Sequence, residues 1–306
     1  MKKTLLSIKD LVVAFSMYHK ESLTKENLEV IHSLSLDVNE GEIVAVVGSS
    51  GSGKSILASA VLDLLPKNAI TSGTISYEGS PLTKKDRDKL LGTDIAFIPQ
   101  SVDYLDPLMK VGKQVQGVLG TKARQEELFN KYQLSKDTEK KYPFQLSGGM
   151  ARRVLISGAM MGNPKLIIAD EPTPGLDVSL AMETLKHFRS FADQGTGILM
   201  ITHDIDLALN VADKVAVFYA GSIVEVASKD DFVKGKDYLR HPYSKALYDA
   251  LPQNGFKPIN GTQPYAGKLP TGCLFSDRCP YVQEKCKEYQ AEREVRGGKV
   301  RCAYAT

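Results

Sequence analysis

Eight consecutive residues, Gly48-Ser49-Ser50-Gly51-Ser52-Gly53-Lys54-Ser55, satisfy the pattern GxxxxGK[ST]. A stretch so rich in glycine can turn successive backbone N–H groups inward on phosphate oxygens. Lys54 would then reach the outer phosphates, and the Ser55 hydroxyl would be available to Mg²⁺. The flanks suit a P-loop: the β-branched run Ile43–Val47 precedes it and a helical stretch, ILASAVLDLL, follows. A second apolar run, Leu166-Ile167-Ile168-Ala169, ends in two acids, Asp170 and Glu171. At the end of a strand beside the P-loop strand, Asp170 can hold Mg²⁺ and Glu171 can orient or deprotonate an attacking water. Alone, the pair fits an acidic turn equally well. Ser147-Gly148-Gly149 stands before another helical stretch, ARRVLISGAMM. Ser147 is a good N-cap, and the glycines bare N–H groups at a helix start, a second place for an anion. Taken without the P-loop, a turn plus a cap explains it better.

These residues need a scaffold, and the sequence supplies its outline. Buried-strand runs recur at Ile95–Ile98, Leu166–Ala169, Ile198–Thr202 and Val215–Tyr219, with helix-length segments between them. That texture predicts an α/β fold with a parallel-sheet core covered on both faces. Before it, Leu5–Phe15 and Leu28–Val38 alternate and predict an N-terminal antiparallel β subdomain. From about 105 to 162 the strand signal fades into charged, helix-favouring sequence, which predicts a helical subdomain inserted in the core. The domain expectation is a nucleotide-binding unit over 1–250 and a small cysteine-rich extension over 251–306, entered through a Pro- and Gly-punctuated loop.

In chain order come the P-loop, Gln100, Leu146-Ser147-Gly148-Gly149-Met150, Asp170-Glu171, Leu176-Asp177 and Thr202-His203-Asp204. This succession closely resembles the ATP-binding subunits of ABC transporters over about residues 4–250. The resemblance implies a P-loop NTPase with a RecA-like core, using ATP and Mg²⁺, that dimerises head to tail. Each ATP would lie between the P-loop of one chain and the Ser-Gly-Gly of the other. It further implies Glu171 as the catalytic carboxylate and His203 as the switch on the γ-phosphate. Gln100 would sense Mg²⁺ and the attacking water, joining Ser55 and Asp170 around the metal. Asp177 would lie in the loop crossing to the partner's site, and Phe15 would stack on adenine. His241-Pro242-Tyr243, followed by Ala250-Leu251-Pro252, is similar to the segment after the core in the oligopeptide/dipeptide/nickel importer branch.

The resemblance thus implies ATP hydrolysis driving uptake of peptides or nickel-type ligands. The implied partners are a second ATPase, two membrane permeases and an extracytoplasmic binding protein, with the chain peripheral on the cytoplasmic face of the membrane. Three departures stand out: Pro174-Gly175 where relatives usually carry Thr-Ala or Ser-Ala, Arg152 where this branch commonly has Gln, and Met150 for the wider family's Gln. The Pro-Gly pair suggests a non-identical ATPase partner and unequal ATP sites. The alternative class is a soluble ABC ATPase acting on nucleic acid or the ribosome. A metal-cluster scaffold with a regulatory nucleotide site is a third, opposed by the intact Glu171 and His203.

Composition bounds these readings. Of 306 residues, 39 are Lys or Arg and 36 are Asp or Glu, so no overall basic field drives nucleic-acid binding. No apolar run reaches the ~18–20 residues that span a bilayer, and Lys9 and Asp10 break the first apolar stretch, so no signal peptide is expected. The only four cysteines, Cys273, Cys279, Cys286 and Cys302, fall in the last 34 residues of the 306. Disulfides are disfavoured beside a cytosolic ATPase. Four thiolates suit a zinc site or an iron–sulfur cluster, and intervals of five, six and fifteen residues favour iron–sulfur over zinc knuckles. Four free thiols are the remaining reading. The importer branch carries four such cysteines on a 4Fe-4S cluster, so the resemblance implies that cofactor here.

Overall fold

The computed structural model describes residues 2–18, 24–118 and 120–305. Two long strands, β1 (Thr4–Tyr18) and β2 (Lys25–Asn39), pair antiparallel with Val13 opposite Ile31 and Phe15 opposite Leu28. The strand β3 (Ile43–Val47) follows, then β4 (Ala69–Tyr77) and β5 (Ser80–Pro81), which extend the antiparallel sheet in the order β2-β1-β4-β5. The remaining strands are β6 (Ile95–Ile98), β7 (Leu166–Asp170), β8 (Gly197–Thr202), β9 (Lys214–Tyr219), β10 (Ser222–Ser228), β11 (Arg293–Val295) and β12 (Gly298–Val300). With β3 they form a sheet in the order β11-β12-β10-β9-β3-β8-β7-β6.

The order explains the apolar runs. Every residue of β3 is buried because β8 and β9 flank it in parallel and each sheet face is covered. Ile43, Ala45 and Val47 face a core shared with Leu185, Phe188 and Ala192 of helix Val178–Asp193. Val44 and Val46 face the opposite core, with Leu57 and Val61 of helix Lys54–Leu62 and with Leu6 and Leu34 of the antiparallel sheet. Alternate side chains of one strand thus bind the two layers together. Between β6 and β7 the chain leaves the sheet through helices Val111–Gln116, Lys122–Lys131 and Gly148–Ala159. These close on their own small core of Leu105, Val111, Val115, Phe129, Leu134 and Val154. The helical insertion is therefore a body with its own apolar centre, anchored at both ends to neighbouring strands.

The C-terminal segment is tied to the large sheet. Val300 of β12 pairs with Glu225 of β10, adding a hairpin to the sheet edge, and Phe275 is buried in the main core.

Candidate functional site

The P-loop joins the C-terminal end of β3 to helix Lys54–Leu62. At Gly48 a Cβ would sit 2.3 Å from the Phe218 carbonyl oxygen, so only glycine lets the chain leave the sheet there. Gly53 turns the helix start at φ 103°, in the left-handed region. Lys54 is buried, and its Nζ donates to the carbonyls of Gly48 at 2.8 Å and Ser49 at 2.9 Å. Burial holds its pKa below the usual lysine range, with Glu171 and Asp170 acting the other way. The Ser55 hydroxyl donates to Asp170 Oδ1 at 3.1 Å, and burial raises the Asp170 carboxyl above its ordinary value. In the same loop the Ser52 hydroxyl is buried without a hydrogen-bond partner.

Glu171 follows directly on β7 with φ 47°, a left-handed conformation that costs a non-glycine residue about 1–2 kcal/mol. Its N–H donates to the Ile201 carbonyl at 2.8 Å, which locks the turn against β8. Its carboxylate meets His203 Nδ1 at 2.9 Å, and Thr202 Oγ1 lies 3.5 Å from the other oxygen. Glu171 is buried while His203 stands half in solvent, so the pair spans from the sheet end to the surface. The sheet order makes this pairing: β7 and β8 are neighbours, and both end here.

Two of the expected groupings are thus brought together, Ser55 with Asp170 and Glu171 with His203. Gln100 lies exposed just beyond β6, its carbonyl accepting a bond from Arg152 Nη2. The Ser147 hydroxyl accepts from Met150 N at 3.3 Å and caps helix Gly148–Ala159. Gly149 packs near the Gly175 carbonyl and Leu176, so the Pro174-Gly175 departure lies against the Ser-Gly-Gly turn. Asp177 caps helix Val178–Asp193 by accepting from Leu180 N at 3.0 Å. Phe15 is half-buried on β1, packed against the antiparallel sheet's core. Sequence reasoning missed the contacts on Ser49: its hydroxyl donates to Gln263 Oε1 at 2.9 Å, and Tyr243 also hydrogen-bonds it. No local pattern signals a bond across 214 residues.

The cysteine expectation is corrected. Among the described residues, no group of three or more His, Cys, Asp or Glu side chains is placed to hold a metal ion. Cys273, Cys279, Cys286 and Cys302 line one cavity of about 290 Å³, as free thiols. Burial pushes the Cys273 thiol up to about 11 and raises Cys279 and Cys302 as well. With no metal-holding group among the described residues, the iron–sulfur cluster and the zinc alternative expected on these four residues are withdrawn.

The geometry can be set beside known proteins. A family profile described as "ABC transporter" matches residues 31–174, and one described as "Oligopeptide/dipeptide transporter, C-terminal region" matches residues 224–286. The oligopeptide transport ATP-binding protein AppD of Bacillus subtilis is 36% identical over 287 residues, covering 86% of this chain and 86% of that protein. The dipeptide transport ATP-binding protein DppD of Haemophilus influenzae is 32% identical, covering 97% and 94%. This chain belongs to the oligopeptide/dipeptide ABC transporter ATP-binding proteins. The ABC ATPase fold is shared with a dimeric ATP-binding cassette solved in a post-hydrolysis state with ADP and Pi. That match has a TM-score of 0.65 and 24% identity, covering 74% of this chain and 99% of the other. Within this ABC ATPase, the matched C-terminal region contains Tyr243, one of the residues touching the P-loop.

Proposed function

We propose that this chain is the ATP-hydrolysing subunit of an importer that takes up oligopeptides, dipeptides or nickel-type ligands through separate permeases. The observation that carries the chemistry is Glu171, buried at the end of β7 and bonded to His203 at 2.9 Å, next to the strand-end acid that holds Ser55. The peptide assignment rests on the C-terminal match and on relatives covered over nearly their whole length.

The residues divide the work. Backbone N–H groups of Gly51 to Lys54 and the Lys54 ammonium bind the phosphates, and Ser52 brings a hydroxyl with no partner of its own. Ser55, Asp170 and Gln100 form an oxygen-rich set that fits Mg²⁺, a hard cation that prefers such ligands. Bound there, the ion would neutralise charge on the phosphate oxygens. Glu171 accepts the proton of the attacking water and His203 contacts the γ-phosphate side. Phe15 offers a ring to adenine, while Ser147, Gly148, Gly149 and Asp177 serve the site of a second ATPase subunit.

That second subunit is proposed to be a non-identical paralogue, because Pro174-Gly175 alters the loop packed on Gly149. Full, transport-level turnover by the purified chain alone would overturn the paralogue. Among the described residues no helix is long and apolar enough to cross a membrane; in this reading separate membrane permeases form the transport path and an extracytoplasmic binding protein supplies the ligand. The proposed location is peripheral, on the cytoplasmic face. No observation favours the nucleic-acid or ribosome reading.

The direct test is Glu171→Gln, measured for nucleotide binding and turnover. Binding within about twofold of wild type and hydrolysis reduced ~10²-fold or more are expected for loss of a general base. Unchanged hydrolysis would remove Glu171 from the mechanism.

A further inference from the structure

Arg152 is 3% exposed, on helix Gly148–Ala159 one turn beyond the Ser-Gly-Gly cap. Its Nη1 donates to the Pro99 carbonyl and its Nη2 to the Gln100 carbonyl. These are adjacent peptide groups, so the planar fork of one guanidinium fixes both. Nε has no hydrogen-bond partner. A buried cation satisfied mainly by carbonyls is an expensive way to hold a loop, since an apolar side chain of similar volume avoids the desolvation cost.

What the fork holds is informative. Strand β6 ends at Ile98, and Gln100 is exposed two residues later, past a proline whose φ is fixed by its ring. Clamping the carbonyls of Pro99 and Gln100 leaves little backbone freedom at the point where the Gln100 side chain departs. Arg152 sits in the helical insertion and Gln100 on the end of a core strand, so the clamp crosses between the two bodies. Asp170, the last residue of the adjacent strand β7, and Glu171, which follows it, are the acids whose field acts on the guanidinium.

We propose that Arg152 is a positioning residue that sets Gln100 toward the Mg²⁺ site by holding the carbonyls of Pro99 and Gln100. The proposal rests on the reading of Gln100 as a Mg²⁺-facing residue. Because the same helix begins at Ser147-Gly148-Gly149, a shift of that cap is passed to Gln100 through one side chain. The clamp thus ties the helical insertion to the metal side of the nucleotide site.

The test uses the full chain carrying Glu171→Gln, with a fluorescent ATP analogue bound in EDTA and again in Mg²⁺. The compared changes are Arg152→Gln, Arg152→Met, Gln100→Ala, and Arg152→Gln with Gln100→Ala. Affinity in EDTA should stay within about twofold throughout. The gain on adding Mg²⁺ should shrink about tenfold in each single variant, the scale of one lost charge-assisted contact. The double variant should be no worse than Gln100→Ala alone, as for residues acting in series. Arg152→Lys, which keeps the charge and can reach one carbonyl, should retain an intermediate gain. If Gln100→Ala keeps the full Mg²⁺ gain, the reading of Gln100 fails and the proposal with it. If Gln100→Ala loses the gain while the Arg152 variants keep it, or the losses add, Arg152 does not act through Gln100. Equal losses with and without Mg²⁺ would show a purely structural role and overturn the proposal. Should Arg152→Met not fold, Arg152→Gln decides by the same criteria.

Discussion

Asp170, the proposed Mg²⁺ ligand, is kept at the fold's expense. Desolvation dominates its environment and raises its pKa, although Ser55, Lys54 and Arg152 all act to keep it charged. The sign follows: a carboxyl whose folded pKa exceeds its unfolded value takes stability away at neutral pH. Asp170→Asn removes that cost and keeps a group able to accept from Ser55. The variant should melt no lower than wild type without nucleotide, while its affinity for ATP loses the gain on adding Mg²⁺. A clear fall in melting temperature, or Mg²⁺-dependent binding left intact, would contradict this assignment. Glu171 shows the same trade in its backbone, held at positive φ by a bond to Ile201. At this scale the motif residues were legible because their types and order are specific. Arg152 was visible only as a departure, because its meaning depends on carbonyls about fifty residues earlier in the chain.

The elements were legible wherever burial on both faces forces a continuous apolar run. β3, β6, β7, β8 and β9 all lie on such runs, and the fading of that signal after Leu105 marks the helical insertion. The hairpin of β11 and β12 was not legible, since its strands have three residues each and only β12 pairs with β10, across about 75 positions. What anchors this part of the chain is the start of helix Pro242–Asp249. Glu225, fully buried, accepts from Arg240 N at 2.9 Å and from His241 N at 2.8 Å, and pairs with the Arg240 guanidinium. Arg240 in turn donates to the carbonyls of Val295 and Arg296, which binds the hairpin down. His241 caps the helix by accepting from Tyr243 N at 3.0 Å, and burial pushes its pKa down to about 3. An unfolded histidine titrates near ~6.5. Between these values only the unfolded chain holds the proton, so stability is complete above about pH 6.5 and declines as pH falls. The slope is up to about 1.4 kcal/mol per pH unit from this one group. His241→Asn keeps a capping acceptor without the proton. Urea unfolding between pH 7 and pH 5 should then show a slope shallower by about one proton in the variant, and equal slopes would refute a buried neutral His241.

For the whole molecule, the two N–H-rich helix starts belong to different bodies. Helix Lys54–Leu62 is packed into the sheet core, and helix Gly148–Ala159 is the last α-helix of the helical insertion. The first carries Lys54 and leads to Ser55, a proposed Mg²⁺ ligand; the second has a serine cap and glycines but no acid or lysine in its first turn. That asymmetry is what a head-to-tail pair would use, each chain supplying the second helix start to its partner's nucleotide. The geometry makes the idea separable from folding. A Cβ at Gly148 would meet no atom within 4 Å, and Gly148 is not at positive φ, so a side chain there is accommodated by the single chain. An acid in the first turn also suits the helix dipole, by ~0.3–1 kcal/mol. Gly148→Asp should therefore leave the melting temperature and the chain's own ATP affinity close to wild type. Facing the phosphates of a partner's nucleotide, the same carboxylate would repel them, and turnover in the assembled pair should fall at least about tenfold, a repulsion of only ~1.4 kcal/mol. Wild-type turnover would mean that Ser147-Gly148-Gly149 does no more than start a helix. A loss of the chain's own ATP affinity would instead place that turn at its own P-loop.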